Sequence, residues 1–390
     1  MNTSRRQFLA RSAQLGVLLG AGIPLLGACG GSSTATRQKR DPIADGLKPE
    51  AGPLRILNYA DYINPEVIAD FEAKYGVKVE VSTIDSDAKA VATLTTGQVK
   101  VDLTHSMANT SIDRLIAGGI LQPLNKSYLT NFGNVLPVFN DPWYDPGAVY
   151  SVPYTFFGTG IGFRSDRIDP AQVAEQGWDT VWNATDFKGQ VSVLDDEREV
   201  FVMAMLRRGL TDVNTVDPKV IDQALADAKE LIDLVNVKVN IEAYKDIPEG
   251  ATTVAHTWSA DMVTGAASYL PEGVSADVLG FWHPPAEQYV VTNDSMGVTS
   301  SAEHPVLAHL YINFILDNAV SEKNFGWTGY LPALTKLDSD YVINQGLVPE
   351  NLRSCVPTND DIAKGLKFRP LGIDGDALYE EAWSKFTSGA

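Results

Sequence analysis

The stretch LRILNYADYINPEVIADFEAKYGVKVEVSTI, residues 54–84, decides the fold. Residues 54–59 are apolar enough for a buried strand, and Asn64-Pro65-Glu66 supplies a helix cap, a first-turn proline and an acid behind it. Gly76 ends that helix, and the valines that alternate from Val77 to Ile84 predict a second strand. A strand, a helix and a strand in this order predict a right-handed parallel unit.

The same order of elements recurs along the chain. Further strands are predicted at Val101–Leu103 and Gln190–Leu194, and further helices at Ser111–Ala117 and Glu199–Arg208. This alternation predicts an α/β fold with mostly parallel sheets flanked by helices. Two glycine-rich aromatic stretches, Ser151–Phe163 and Gln288–Met296, are predicted to be long strands that link two lobes. A length of 390 residues with 44% hydrophobic content is sufficient for two lobes.

The N-terminus has the pattern of an export signal. Ser4-Arg5-Arg6-Gln7-Phe8-Leu9 is a twin-arginine motif, an apolar run follows, and Leu26-Gly27-Ala28-Cys29 resembles a lipobox. We expect residues 1–28 to be a twin-arginine lipoprotein signal peptide and Cys29 to carry lipid. Residues 29–53 are mostly small and polar, which predicts a flexible tether. The alternative is an ordinary hydrophobic N-terminus.

Charge and cysteine content restrict the class of partner. The chain has 49 acidic and 31 basic residues, a net charge of −18, and loss of residues 1–28 removes three arginines and no acid, giving −21. Such a chain is not expected to bind nucleic acid. The acidic surface attracts cations, although a merely solvated acidic surface is the commoner explanation. With Cys29 lipidated, Cys355 has no intramolecular partner, so no disulfide framework is expected.

Four acids lie close together in VLDDEREVF, residues 193–201, between a predicted strand and a predicted helix. Asp196 and Glu199 have the spacing of a capping box, in which the side chain of each residue accepts a hydrogen bond from the backbone amide of the other. The same position, at the carboxyl end of a parallel strand, is where open α/β sheets bind ligands. Both interpretations remain open on these residues alone.

Aromatic residues near other strand ends are typical of cation recognition, because a ring face attracts a cation. Tyr59 and Tyr62 follow the first strand, and Trp258 stands between small polar residues. Core packing explains any one of these rings equally well. The five histidines lack metal-ligand spacing, and no nucleophile, phosphate-loop or dinucleotide motif is present, so we expect no enzyme, metal or cofactor.

Several segments together resemble the spermidine/putrescine-binding proteins of bacterial ABC importers. The resemblance covers about residues 55–387 and is carried by the following segments: LNYADYINPEVIADFEAKYGVKVEVST (57–83), GGILQPLNKSYLTNFGNV (118–135), VLDDEREVFVMAML (193–206), INFILD (312–317) and GWTGYLPAL (326–334). It implies the type II periplasmic binding protein fold, with residues 54–160 and 293–338 in lobe 1. Residues 161–292 and 339–390 would form lobe 2.

The resemblance also implies a set of ligand-binding residues. Asp196 and Glu199 match acids that hold one end of a polyamine, and Asp294 matches an acid that holds another amine. Aromatic walls are implied at Tyr59, where the family usually has tryptophan, and at Tyr62, Trp258 and Tyr330.

Three departures from the family pattern affect this site. Thr292 stands where the family usually has tryptophan, residues 107–110 lack a usual tyrosine, and Arg369 aligns with a glutamine that contacts the ligand. A guanidinium at that position would repel an ammonium or neutralise a carboxylate.

The expected function is that of a monomeric extracytoplasmic solute-binding protein. It would be exported by the twin-arginine route, held to the cell membrane by its lipid on the periplasmic or exterior side, and would deliver a polyamine to the permease subunits of an ABC transporter. One alternative keeps the fold but binds a different amine-bearing or zwitterionic solute, with Arg369 pairing its acid. Another is a secreted lipoprotein hydrolase that acts through a carboxylate pair.

Overall fold

A computed structural model describes residues 41–389 of the chain, so the predicted signal peptide and Cys29 lie outside the described residues. The strands are β1 (Leu54–Tyr59), β2 (Val79–Ile84), β3 (Leu103–Ala108), β4 (Ser151–Arg164), β5 (Val191–Val193), β6 (Lys238–Val239), β7 (Val254–Trp258), β8 (Leu279–Trp282), β9 (Val291–Val298) and β10 (Leu331–Pro332). The helices are α1 (Pro65–Tyr75), α2 (Asp87–Thr96), α3 (Asn109–Ala117), α4 (Pro170–Gln176), α5 (Asp179–Asn183), α6 (Glu197–Arg207), α7 (Pro218–Val235), α8 (Ala243–Glu249), α9 (Ser259–Ser268), α10 (Pro305–Ile315), α11 (Asn318–Thr328), α12 (Ser339–Asn344), α13 (Asn359–Lys364) and α14 (Gly372–Thr387).

The unit from β1 to β2 forms as its sequence predicts. The Asn64 side chain accepts from the amide of Glu66 at 2.9 Å and so satisfies an otherwise unpaired donor of α1. Gly76 ends α1 with a φ of 68°, a left-handed conformation that glycine adopts without steric cost. β1 pairs in parallel with both β2 and β3, which confirms the parallel unit.

Strand β4 joins the two halves of the sheet. Its residues 151–158 pair with β9, whereas residues 159–164 pair with β7 and β8. At the change of partner, a Cβ added to Gly158 would lie 2.1 Å from the ring of Tyr289, so only glycine fits there without rearrangement. The strand predicted at residues 151–163 therefore does run through both halves.

The order of strands along the sheet is β2-β1-β3-β9-β4-β7-β5-β6, with β8 and β10 paired to β4. The pairs of β1 with its neighbours and of β5 with β6 and β7 are parallel, while the pairs made by β4 and β9 are antiparallel. The predicted α/β fold is confirmed, and its parallel strands lie outside a central antiparallel pair. Their carboxyl ends carry several of the residues described below.

One buried cluster fills the half that contains β1 and extends to α8, α9 and β8, and a second cluster lies in the half that contains β5. Phe71 of α1 and Tyr311 of α10 pack edge to face, with ring centroids 5.1 Å apart, in the half that contains β1. Phe201 of α6 packs against Tyr379 of α14 in the half that contains β5. Burying each such side chain contributes roughly 1.5–3 kcal/mol. The carboxyl ends of the strands are thereby held on rigid elements.

The expected tether, residues 29–53, lies partly among the described residues. There, the Asn125 amide donates to the carbonyl of Ile43 at 2.8 Å and to Asp45 at 2.7 Å. Glu50 accepts from the first amides of α10, at Val306 and Leu307. Residues 43–50 are therefore fixed to the body rather than free. Between residues 41 and 389, no helix is sufficiently long and apolar to cross a membrane.

Candidate functional site

The predicted acid pair begins α6, directly after β5. Asp196 caps the helix, and its carboxylate accepts from the amide of Glu199 at 3.0 Å. The Glu199 side chain turns away from the cap and accepts from Thr159 at 3.0 Å and from the indole of Trp258 at 3.4 Å. Half of the predicted capping box is therefore formed, and the other acid faces the strand that joins the two halves.

A third acid lies beside β4, on the neighbouring strand β9. Asp294 of β9 is the register partner of Thr155 on β4, and it accepts from the hydroxyl of Tyr62 at 3.0 Å. The hydroxyl oxygens of Tyr62 and Thr155 are 2.7 Å apart. Asp294 is only 7% exposed and Glu199 only 4%, so both carboxylates are removed from bulk water.

Aromatic rings connect these two acids. The ring of Tyr330 meets that of Tyr62 edge to face at 4.7 Å and that of Phe157 at 5.0 Å, and Phe157 meets Trp258 at 6.0 Å. Tyr62, Tyr330, Phe157 and Trp258 therefore form a continuous ring series from Asp294 to Glu199. The Tyr330 hydroxyl donates to the buried carboxylate of Asp261 at 2.8 Å, which fixes the orientation of its ring.

Strand β4 supplies the floor beneath the rings. Thr155, Phe157 and Thr159 lie two residues apart, so their side chains share one face of the strand. Thr155 stands beside Asp294 and Thr159 beside Glu199. At about 3.3 Å per residue, the two threonines are roughly 13 Å apart along the strand. The floor is polar at both ends and apolar in the middle.

A fourth carboxylate, Asp87, was not predicted. It is the first residue of α2, and it accepts from the hydroxyl of Tyr59 at 2.8 Å and from the amide of Ala108 at 3.1 Å. Like Asp196, it follows the carboxyl end of a parallel strand, and Tyr59 is the last residue of another. That shared position is the sequence signal that could have identified it. We call Asp87, Asp196, Glu199 and Asp294 the carboxylate cluster.

Burial and mutual repulsion disfavour ionisation throughout the carboxylate cluster. Burial, followed by the charge of Asp196, raises the pKa of Glu199 to about 8. Burial and then the charge of Asp87 raise the pKa of Asp294 well above its usual range. Burial is also the main cause that raises the pKa of Asp196 and that of Asp87, and the charge of Asp196 adds to it at Asp87.

No lysine, arginine or histidine among residues 41–389 forms an ion pair with the carboxylate cluster. The charge of Arg198 favours ionisation of Asp196 and Glu199. Its guanidinium points elsewhere, donating to the carbonyls of Val213 and Arg369 and lying over the ring of Phe368. In the same range, no three acid, histidine or cysteine side chains converge as metal ligands do.

Arg369 and Thr292, also singled out in the sequence, contact residues outside the carboxylate cluster. Arg369 is exposed, and its guanidinium lies over the ring of Trp143 at 4.4 Å, whereas no described carboxylate pairs with it. Thr292 accepts a long hydrogen bond, 3.5 Å, from the amide of Asn109. Two positions at which the sequence departs from the family pattern therefore contact each other and form a polar corner.

A strand shared by two half-sheets, with acids and aromatic rings beside it, is the arrangement expected of a two-lobed binding protein. The profile of the bacterial extracellular solute-binding protein family matches residues 66–348, and the chain belongs to this family. A spermidine/putrescine-binding periplasmic protein of Salmonella typhimurium is 30% identical over 342 residues, covering 86% of this chain and 92% of its own length. The resemblance predicted from the sequence is confirmed.

Solved structures confirm the two-lobed fold. The TpPotD lipoprotein of Treponema pallidum superposes with a TM-score of 0.70 at 22% identity, over 85% of this chain and 98% of its own. The spermidine/putrescine ABC transporter substrate-binding protein PotD of Streptococcus pneumoniae superposes with a TM-score of 0.68 at 21% identity, over 86% and 98%. At these identities the likeness concerns the fold alone.

Proposed function

We propose that this protein is the extracytoplasmic binding component of an ABC importer and that its solute is a linear polyamine. The observation that carries the proposal is a set of four carboxylates, two buried (Glu199 and Asp294) and two half-buried (Asp87 and Asp196), with no described cation paired to them and with aromatic rings around them. Repelling acids in a buried site favour a cationic ligand, because its ammonium groups supply the missing counter-charge.

The shape of the site supports a linear ligand over a compact one. Ammonium groups would lie near Asp294 and Glu199, and methylene groups would cover Phe157 between the polar ends of the β4 floor. An ammonium about 4 Å from a carboxylate gains about 4 kcal/mol at an effective dielectric constant near 20, before desolvation. Since micromolar binding requires about −8 kcal/mol, two or more such contacts are needed. The proposed activity is binding, not catalysis.

We propose the lobe boundaries given above, with residues 54–160 and 293–338 in lobe 1. Asp294 and Asp87 then belong to lobe 1, and Asp196 and Glu199 belong to lobe 2. The contacts that join these lobes include the ion pair of Arg114 with Asp376 at 2.6 Å and the stacking of Arg369 on Trp143. Closure of the lobes around the ligand would form the surface that a permease recognises.

Export by the twin-arginine route and lipidation of Cys29 belong to the same proposal, as does a monomeric state. The export route and the lipidation are supported by the order of the N-terminal motifs in the sequence. A Cys29→Ala variant should leave the membrane fraction, and mass spectrometry of the wild-type protein should find the lipid on Cys29. Recovery of the variant in the membrane would contradict the anchor.

Isothermal titration calorimetry of the protein tests which solute it binds. We expect saturable binding of spermidine or putrescine, and no comparable binding of a neutral diol of similar length, which controls for the rings alone. Arginine, as a zwitterionic solute, tests the other ligand class. Heat with arginine and none with either polyamine would overturn the proposal.

A further inference from the structure

Asp87 lies closer to the predicted ligand acids than its sequence position suggests. Its Oδ2 accepts from the amide of Ala108, and Ala108 is the register partner of Asp294 in the β3–β9 pair. Register partners in an antiparallel pair have Cα atoms about 4.5–5.5 Å apart. Asp87 and Asp294 therefore form one carboxylate pole, and Asp196 and Glu199 form the other.

The charge of Asp87 reaches both poles. It disfavours ionisation of Asp294, and it is itself disfavoured by Asp196. The half-buried Tyr59, whose hydroxyl donates to Asp87, is subject to the charges of Asp87, Asp294 and Asp196. A residue that only oriented Tyr59 would need a hydrogen-bond acceptor but no charge, and a neutral asparagine would avoid this repulsion.

The distance between the poles points to ligand length. Thr155 and Thr159, which stand beside the two poles, are roughly 13 Å apart along β4. Nine bonds separate the terminal nitrogens of an extended spermidine, about 11 Å, whereas five bonds in putrescine span only about 6 Å. A triamine can therefore contact both poles at once, and a diamine only one.

Building on the proposed function, we propose that Asp87 is a specificity-determining residue that favours a triamine over a diamine. With Asp87, each pole has two carboxylates, and a ligand with three ammonium groups neutralises more of the cluster than one with two. The Coulomb attraction of Asp87 also grows with the charge of the ligand. Loss of its charge should consequently cost the triamine more than the diamine.

The test is calorimetry of spermidine and putrescine with wild-type protein and Asp87→Asn. We expect spermidine affinity to fall by about tenfold or more and putrescine affinity by less than about threefold. Tyr59→Phe is the control, because it removes the hydroxyl bonded to Asp87 but keeps the ring and the carboxylate. It should leave the ratio of the two affinities near the wild-type value.

Equal losses for both ligands, or a Tyr59→Phe variant that reproduces the Asp87→Asn ratio, would reduce Asp87 to a positioning residue and overturn the inference. Absence of polyamine binding by the wild type would instead overturn the proposed function, so the two failures are distinguishable. If Asp87→Asn does not fold, Asp87→Ser gives the same readout, since it also removes the charge and retains an acceptor at the start of α2.

Discussion

Asp227 and Glu199 are both buried acids of the half that contains β5, yet they have opposite surroundings. Asp227 of α7 is 1% exposed, and it accepts from the guanidinium of Arg208 and from Gln223. Burial alone would raise its pKa, but these two partners outweigh burial, and its pKa lies below the usual value. Glu199, just as buried, has neutral donors, and its pKa rises to about 8.

The difference separates an acid that stabilises the fold from one that serves a ligand. A buried carboxylate with a cation partner already has its charge neutralised. A carboxylate with only neutral donors and acidic neighbours instead destabilises the free protein. Proteins retain such destabilising groups where function requires them. Binding of a polyamine would convert the second kind of environment into the first.

Of the variants considered, Glu199→Gln should cause the largest loss of polyamine affinity. The amide oxygen still accepts from Thr159 and Trp258, but the charge is lost, so polyamine affinity should fall by about 1.5–3 kcal/mol, or about 10- to 150-fold. Calorimetry measures the affinity, and thermal unfolding of the free protein at pH 8 is the control. Since the variant removes repulsion, its unfolding temperature should equal or exceed that of the wild type. Unchanged affinity would place Glu199 outside the site.

Asp227→Asn is the matched variant at the paired acid. It removes the partner of Arg208, so the free energy of unfolding should decrease by about 1–3 kcal/mol, as measured by urea denaturation. Polyamine affinity should stay within about twofold of the wild type, because Asp227 lies outside the carboxylate cluster. A large loss of affinity with no loss of stability would remove the distinction between the two acids.

The raised pKa of Glu199 should make ligand affinity and the stability of the free wild-type protein change in opposite directions with pH. An ammonium favours ionised Glu199, so with a pKa of about 8 in the free protein the affinity should rise by up to about fiftyfold between pH 6 and pH 8, with release of protons on binding. The stability of the free protein should instead decrease as the pH rises. A folded-state pKa near 8, above the ordinary value of 4.5, gives stability that is present below pH 4.5 and is lost as the pH rises toward 8.

Calorimetry in two buffers of different ionisation enthalpy counts the released protons. Glu199→Gln should release fewer protons than the wild type and show a flatter rise in affinity. An identical proton count in both proteins would show that Glu199 does not titrate on binding.

Local features of the fold could be predicted from the sequence, because their signals lie within a few residues. The cap at Asn64, the end at Gly76 and the spacing of the valines fix the first parallel unit. The capping box at Asp196 was half wrong for the opposite reason. The Glu199 carboxylate accepts from Thr159 and Trp258 rather than from the amide of Asp196. These two donors are 40 and 59 residues away from Glu199, and no local pattern reveals them.

The site required more than local reasoning. Tyr62 and Asp294, hydrogen-bonded in the structure, are 232 residues apart, and only the family resemblance could bring them together before the fold was known. Asp87 was missed because an acid in the first turn of a helix is already explained by the helix dipole. The floor residues Thr155 and Phe157 were missed because a buried strand gives no sign of which face meets a ligand.

Arg369 gives the smallest and most discriminating prediction. If its guanidinium holds the closed lobes by stacking on Trp143, then Arg369→Ala and Trp143→Ala should each weaken polyamine binding by only about 0.5–1 kcal/mol, about two- to fivefold. The double variant should lose no more than either single variant, since both remove the same contact.

If Arg369 instead repels the ligand, Arg369→Ala should tighten polyamine binding while Trp143→Ala does not. If it pairs with a ligand carboxylate, its removal should affect arginine more than spermidine. A double-mutant cycle measured by calorimetry with both ligands therefore separates a contact between lobes from a contact with the solute.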